Sequence, residues 1–170
     1  MGNQITLRTI EERDFDVISE AFKRQGWNKP SEQYKEYFLE MKEGKREVIL
    51  AEYNGEFSGY VTIQWSSNYD FFNKNRIPEI KDLNVLIAFR RKGIASALMD
   101  EAERRIGEKS NYAGLGVGLY EGYGFAHNLY IKRDYLPDGK GLCYQDKTMS
   151  YGEKSILDDD LCLMFTKKLY

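Results

Sequence analysis

The chain has 170 residues, 42% hydrophobic and 31% charged, with a net charge of −2. That length carries one ordinary domain, taken here as residues 1–170, with a core of its own. The near-neutral charge gives no general case for nucleic acid or an anionic membrane as partner, and no apolar run approaches the roughly 18 to 20 residues of a membrane span. Cys143 and Cys162 make neither a metal set nor a disulfide framework, and no signal peptide is visible, so a cytoplasmic protein with reduced thiols and no metal is expected. The opening Met1-Gly-Asn-Gln-Ile-Thr6 fits the loose N-myristoylation pattern, but the second signal that stable anchoring needs does not accompany it.

In chain order, residues 5–10 read as a short strand with Ile5 and Leu7 on one face. Residues 11–24 place Phe15, Ile18, Ala21 and Phe22 at helical spacing and stop at Gly26. A second helix begins near Pro30-Ser31, carries Tyr34, Tyr37, Phe38 and Met41 on one stripe, and ends near Gly44. Residues 48–53 and 57–65 are strands joined at Asn54-Gly55, a strong hairpin signal. A loop over 66–78 holds Tyr69, Phe71 and Phe72, which either line a cleft or fold beneath the loop.

A strand with Ile80, Leu83, Val85 and Ile87 comes next, then a helix whose Ile94, Leu98, Ala102 and Ile106 recur every four residues. Residues 112–119 form a strand with Gly114, Gly116 and Gly118 at every second position, which leaves one face bare enough for close approach. A short helix over 123–132, a turn at Pro137-Asp138-Gly139, a strand over 142–149, the acidic run Asp158-Asp-Asp160 and a closing strand over 161–169 complete the chain. The order β-α-α-β-β-β-α-β-α-β-β implies an α/β protein of the α+β type, with a mixed, mostly antiparallel sheet flanked by helices.

Chemistry concentrates between the fourth strand, whose Leu-x-Val ends at Val85, and the long helix, at Arg90-Arg-Lys-Gly-Ile-Ala95. A glycine at such a turn lets backbone approach a ligand, and the helix start offers unpaired N–H groups and a positive dipole end to an anion. Three cations in succession strengthen that field; the alternative is a solvated basic turn. No Gly-x-x-x-x-Gly-Lys-Ser/Thr occurs, and no Gly-x-Gly-x-x-Gly lies between strand and helix.

The turn does fit Arg/Gln-x-x-Gly-x-Gly/Ala through Arg90, Gly93 and Ala95, after a Leu-x-Val strand that ends at Val85. In this it resembles the GNAT superfamily of acetyl-CoA-dependent N-acetyltransferases, and the order of elements extends the resemblance over nearly the whole chain. Ala126-His-Asn-Leu129-Tyr130 with Tyr135 is similar to that family's second conserved segment. Tyr123 stands where the family often has Asn, Asp134 where it has Gly, and Ile87 where Pro is common.

The resemblance implies a GNAT fold and acetyl-CoA as cosubstrate. It places the pyrophosphate on Arg90, Arg91, Lys92, Gly93, Ile94, Ala95 and Ser96, and the pantetheine arm along Leu83, Asn84 and Val85, with the Val85 N–H as oxyanion donor. It implies Tyr130 as the acid that protonates the leaving sulfur, a role suited to a phenol protonated at neutral pH. Glu79, and after it Asp82, are the candidate bases; in a regular strand their three-residue spacing puts them on opposite faces. The acceptor expected is a small-molecule primary amine, polyamine-, amino-acid- or aminoglycoside-like. A protein N-terminus or lysine is the alternative acceptor, a non-catalytic acetyl-CoA-binding module is the alternative class, and a homodimer is left open.

Overall fold

A computed structural model describes residue 2 and residues 4–170; Met1 and Asn3, two residues of the acylation pattern, lie outside the described residues. The elements run β1 (Ile5–Thr9), α1 (Asp14–Arg24), α2 (Ser31–Lys42), β2 (Arg46–Tyr53), β3 (Glu56–Gln64), α3 (Asp70–Lys74), β4 (Glu79–Val85), α4 (Ile94–Gly107), β5 (Tyr112–Gly118), α5 (Gly124–Lys132), β6 (Leu136–Tyr144), β7 (Lys147–Thr148) and β8 (Leu161–Lys168). They gather into two compact units, one built from the chain up to Trp65 and from Ile80–Arg105, the other from Ser66–Glu79 and Ile106–Tyr170. Among the described residues no helix is long and apolar enough to cross a membrane.

In the first unit β1, β2, β3 and β4 are neighbours in that order. The β2–β3 hairpin closes at Asn54 and Gly55, both left-handed at φ 52° and 84°, the geometry that matches strand twist in a two-residue turn. β4 runs against β3 with Thr62 Oγ1 donating to the Lys81 carbonyl at 3.1 Å and the Leu86 amide to the Ser58 carbonyl at 2.9 Å. The helical stripes read from the sequence then bury together. Phe15, Ile18 and Phe22 of α1 and Tyr34 of α2 join Val48, Leu50, Tyr60 and Leu86 in one core. The first helix starts at Asp14, three residues later than expected, because residues 11–13 form a turn in which the Glu11 amide donates to Asp14 Oδ2 at 2.7 Å.

In the second unit β5, β8, β6 and β7 are neighbours in that order, with β5–β8, β8–β6 and β6–β7 all antiparallel. Mixed α/β structure with antiparallel sheets and helices, as expected, thus holds in each unit. Three local expectations give way. The loop over 66–78 contains α3, and its Tyr69 and Phe72 are buried with Ile77, Cys143 and Met164, so these rings fold under the loop. Pro137-Asp138-Gly139 is not a turn between elements but part of β6, whose pairing with β8 slips between Pro137 and Leu142 while Gly139 and Gly141 take φ of 79° and 76°. The strand over 142–149 is cut by a tight turn at Gln145 and Asp146, both left-handed, which makes β7.

The bare face of β5 is filled by the protein's own side chains. A β-carbon on Gly114 would lie 2.4 Å from the Phe72 ring, on Gly116 2.8 Å from the Met164 sulfur, and on Gly118 2.3 Å from the Tyr123 ring. Glycine is required there, but for packing.

Candidate functional site

The turn before α4 is built to leave amides open. After β4 the chain makes a 3₁₀ turn at Ile87–Phe89, and the Arg90 amide closes it on the Ile87 carbonyl at 3.3 Å. Arg91 and Gly93 are then left-handed at φ 60° and 81°. The first amide of the helix to find an acceptor is that of Ala97, which donates to the Gly93 carbonyl at 3.0 Å. The amides of residues 91–96 have no acceptor among the described residues. Arg90, Arg91, Lys92, Gly93 and Ser96 are exposed, Ala95 is half-buried, and Ile94 is anchored in the interior. A β-carbon on Gly93 would meet nothing within 4 Å.

Two of the three cations are braced by aromatic rings. The Arg90 guanidinium carbon lies 5.8 Å from the Trp27 centroid, and Lys92 Nζ lies 5.1 Å from that of Tyr53. Unpaired amides, a helix start and cations braced by rings are together the chemistry that suits an anion such as a pyrophosphate.

Leu83, Asn84 and Val85 are half-buried in the second half of β4. Just before them Asp82 sits at φ 55°, a left-handed break that aspartate tolerates better than most residues. Its carboxylate is the hub of a polar cluster. Oδ1 accepts from Lys29 Nζ at 3.2 Å and Asn84 Nδ2 at 2.7 Å; Oδ2 accepts from Gln33 Nε2 and the Tyr37 hydroxyl, each at 3.1 Å, and from the Tyr60 hydroxyl at 2.5 Å. Five donors meet about four lone-pair sites, so the oxygens are fully engaged. Burial, with the Asp82 charge adding to it, holds the Tyr60 phenol well above its ordinary value and pushes Tyr37 up to about 12, which keeps both hydroxyls as donors.

Glu79 and Tyr130 belong to the second unit. Glu79, at the buried start of β4, accepts a hydrogen bond from the Ser67 hydroxyl at 2.5 Å, and Ser67 Oγ in turn accepts from the Tyr69 amide at 3.0 Å. Tyr130 is buried on α5 with its ring 6.0 Å from that of Tyr135. Burial pushes its phenol up to about 12, and its hydroxyl has no acceptor among the described residues. His127, the chain's only histidine, uses Nε2 to donate to the Gly118 carbonyl at 2.8 Å.

The acidic run is likewise engaged. Asp159 accepts from the hydroxyls of Tyr120 and Tyr123 at 2.7 and 2.9 Å, so Tyr123 ties the start of α5 to that run.

Asp82 and Asn84, singled out from the sequence, are thus brought together, whereas Lys29, Gln33, Tyr37 and Tyr60 were not foreseen. Their joint role had no signal in the spacing, because the cluster is assembled from three elements and a loop.

The sequence matches the acetyltransferase (GNAT) family over residues 7–135. No curated protein matches it significantly. Among solved structures, a GNAT-family protein from Desulfovibrio desulfuricans is similar with a TM-score of 0.73 at 10% identity, over 98% of this chain and 100% of that one. A Salmonella typhimurium protein solved with its cofactor acetyl-CoA is similar at 0.66 and 17%, over 98% and 94%. The ribosomal-protein-S18-alanine N-acetyltransferase of Escherichia coli is similar at 0.69 and 11%, over 98% and 94%. At these identities the likeness is one of fold.

Proposed function

As the chain belongs to the GNAT family of acetyl-CoA-dependent N-acetyltransferases, we propose that it acetylates the primary amine of a small molecule, polyamine-, amino-acid- or aminoglycoside-like, as one catalytic domain over residues 1–170 in the cytoplasm. The observation that carries the cosubstrate assignment is the run of unpartnered amides over residues 91–96 in an exposed basic turn. Arg90, Arg91, Lys92, Gly93, Ile94, Ala95 and Ser96 would hold the pyrophosphate, mostly through backbone N–H groups. The backbone of Leu83, Asn84 and Val85 would line the pantetheine arm, with the Val85 N–H directed at the carbonyl oxygen. Acetyl-CoA supplies the activated acetyl group.

The remaining roles fall to side chains. Tyr130 has a proton to give at neutral pH and no competing acceptor among the described residues, which suits it to protonate the departing sulfur. Glu79 is the candidate base, taking the amine's proton directly or through water. Asp82, its oxygens engaged by five donors, suits the holding of a cation better than proton abstraction.

Isothermal titration with acetyl-CoA, paired with thiol-release assays over small amines and peptide amines, tests this reading. Micromolar binding with CoA release from one class of small amine supports it. Release only with peptides would move the acceptor to proteins, and binding without release from any amine would leave a non-catalytic module. Tyr130→Phe should bind acetyl-CoA as the parent does while losing about 10²-fold or more in turnover. Equal turnover would remove the acid assignment.

A further inference from the structure

We propose that Asp82, Tyr60 and Phe22 form a receptor for a primary ammonium ion, that Lys29 from the chain's own α1–α2 loop fills it, and that the acceptor amine binds by taking Lys29's place. The last clause rests on the acetyltransferase reading; the receptor itself does not.

Lys29 Nζ lies 3.2 Å from Asp82 Oδ1, 3.2 Å from the Tyr60 hydroxyl oxygen, 5.5 Å from the Phe22 ring centroid and 5.8 Å from that of Tyr60. A carboxylate, a hydroxyl lone pair and two ring faces around one –NH₃⁺ form the set that recognises ammonium ligands. An ordinary surface ion pair has the first of these alone. Tyr60 spends its proton on Asp82, which leaves its oxygen to accept from the ammonium. The pair is sheltered, with side-chain exposures of 18% for Lys29 and 21% for Asp82, so an empty receptor would leave a desolvated carboxylate in need of a cation.

The receptor and its occupant are held differently. Gln33, Tyr37 and Asn84 fix the carboxylate from α2 and β4 through bonds in which Lys29 takes no part. Lys29 rides on a loop entered through Gly26 at φ 82°, between two backbone ties, the Trp27 amide on the Phe22 carbonyl at 3.0 Å before it and the Gln33 amide on the Pro30 carbonyl at 3.1 Å after it. The backbone amides of Asn28 and Lys29 have no acceptor among the described residues. The lysine can therefore swing to solvent at the cost of its side-chain contacts alone. An acceptor ammonium would compete with it, and each acceptor's apparent affinity would be lowered by the fraction of molecules in which Lys29 is in place.

The test begins without acetyl-CoA. Melting temperatures of the parent, Lys29→Ala, Lys29→Arg and Lys29→Ala/Asp82→Asn are measured against methylammonium and ethylammonium chloride, with sodium chloride at equal ionic strength as control. Lys29→Ala should melt lower than the parent and recover in proportion to added alkylammonium, the parent and Lys29→Arg should gain only at about five- to tenfold higher concentrations, and Lys29→Ala/Asp82→Asn should gain nothing beyond the salt control. Should Lys29→Ala fail to fold, Lys29→Met, which keeps the aliphatic stem, serves in its place. Alkylammonium that fails to stabilise the alanine (or methionine) variant, or stabilises it equally without the Asp82 charge, overturns the receptor.

Steady-state kinetics then test displacement. Removing Lys29 should lower KM for a primary-amine acceptor about five- to tenfold. An unchanged or raised KM overturns displacement even where the receptor stands. A protein that acetylates no amine defeats the acetyltransferase reading, and the melting data still decide the receptor.

Discussion

Gly59 of β3 faces the backbone of Asn84 so closely that a β-carbon there would lie 2.5 Å from the Asn84 carbonyl oxygen and 3.1 Å from the Val85 α-carbon. The obstructing atoms are main chain, so no rotamer change relieves the contact, and β4 itself would have to move. Gly59→Ala is therefore expected to lose about 1–3 kcal/mol of stability, the usual range for overpacking. It should also weaken acetyl-CoA binding, because the displaced segment is the one proposed to line the pantetheine arm. Urea unfolding and isothermal titration measure the two effects. Lost stability with unchanged acetyl-CoA affinity would separate this backbone from the cosubstrate.

Asp14 is a buried carboxylate that acid should undo. Burial by itself would raise its pKa, but the Arg8 hydrogen bonds, at 2.8 Å to each oxygen, together with the Glu11 amide and the Arg8 charge outweigh it and hold the group below its ordinary 3.8. The unfolded chain then binds the proton more readily than the folded one, so stability rises with pH across the window between the two values. The contribution is complete above about pH 4–5 and disappears as pH falls through the lower, folded value. Asp14→Asn should cost about 1.5–3 kcal/mol at pH 7, with the gap to the parent closing toward pH 2. Urea titrations at pH 7, 4 and 2 read this directly, and a gap independent of pH would mean that Asp14 contributes by shape alone.

What could be read from the sequence divides along the range of the interactions involved. The β2–β3 hairpin and the α4 stripe depend on local chemistry, a left-handed Asn54-Gly55 pair and a four-residue apolar repeat, and both stand where expected. The basic turn was legible for the same reason: Gly93 has a φ that glycine alone adopts without strain. The glycines of β5 show where local reading stops. Their spacing announced a bare face, but whether a ligand or Phe72, Met164 and Tyr123 would cover it depends on residues up to about fifty positions away. The polar cluster lies further still out of reach, since Lys29, Gln33 and Tyr37 come from α2 and the loop before it, and Asp82 points at them from a left-handed break in a strand that the apolar pattern presents as regular.

The anion site itself can be tested by separating backbone from charge. Gly93 stands at φ 81° with nothing within 4 Å of an added β-carbon, so Gly93→Ala clashes with nothing and acts only through the strain of a left-handed alanine, about 1–2 kcal/mol. The turn can relieve that strain by rotating its amides away from the pyrophosphate. Acetyl-CoA affinity should then fall several-fold by a factor that salt leaves unchanged, since the charges remain. Arg91→Ala leaves the glycine geometry in place and removes one exposed cation, so its loss of affinity should be largest at low ionic strength and shrink as salt screens the remaining field. Titrations of both variants at two salt concentrations distinguish these behaviours. Should Gly93→Ala bind acetyl-CoA as tightly as the parent, the open amides would not be what holds the pyrophosphate, and the basic side chains would have to carry the site alone.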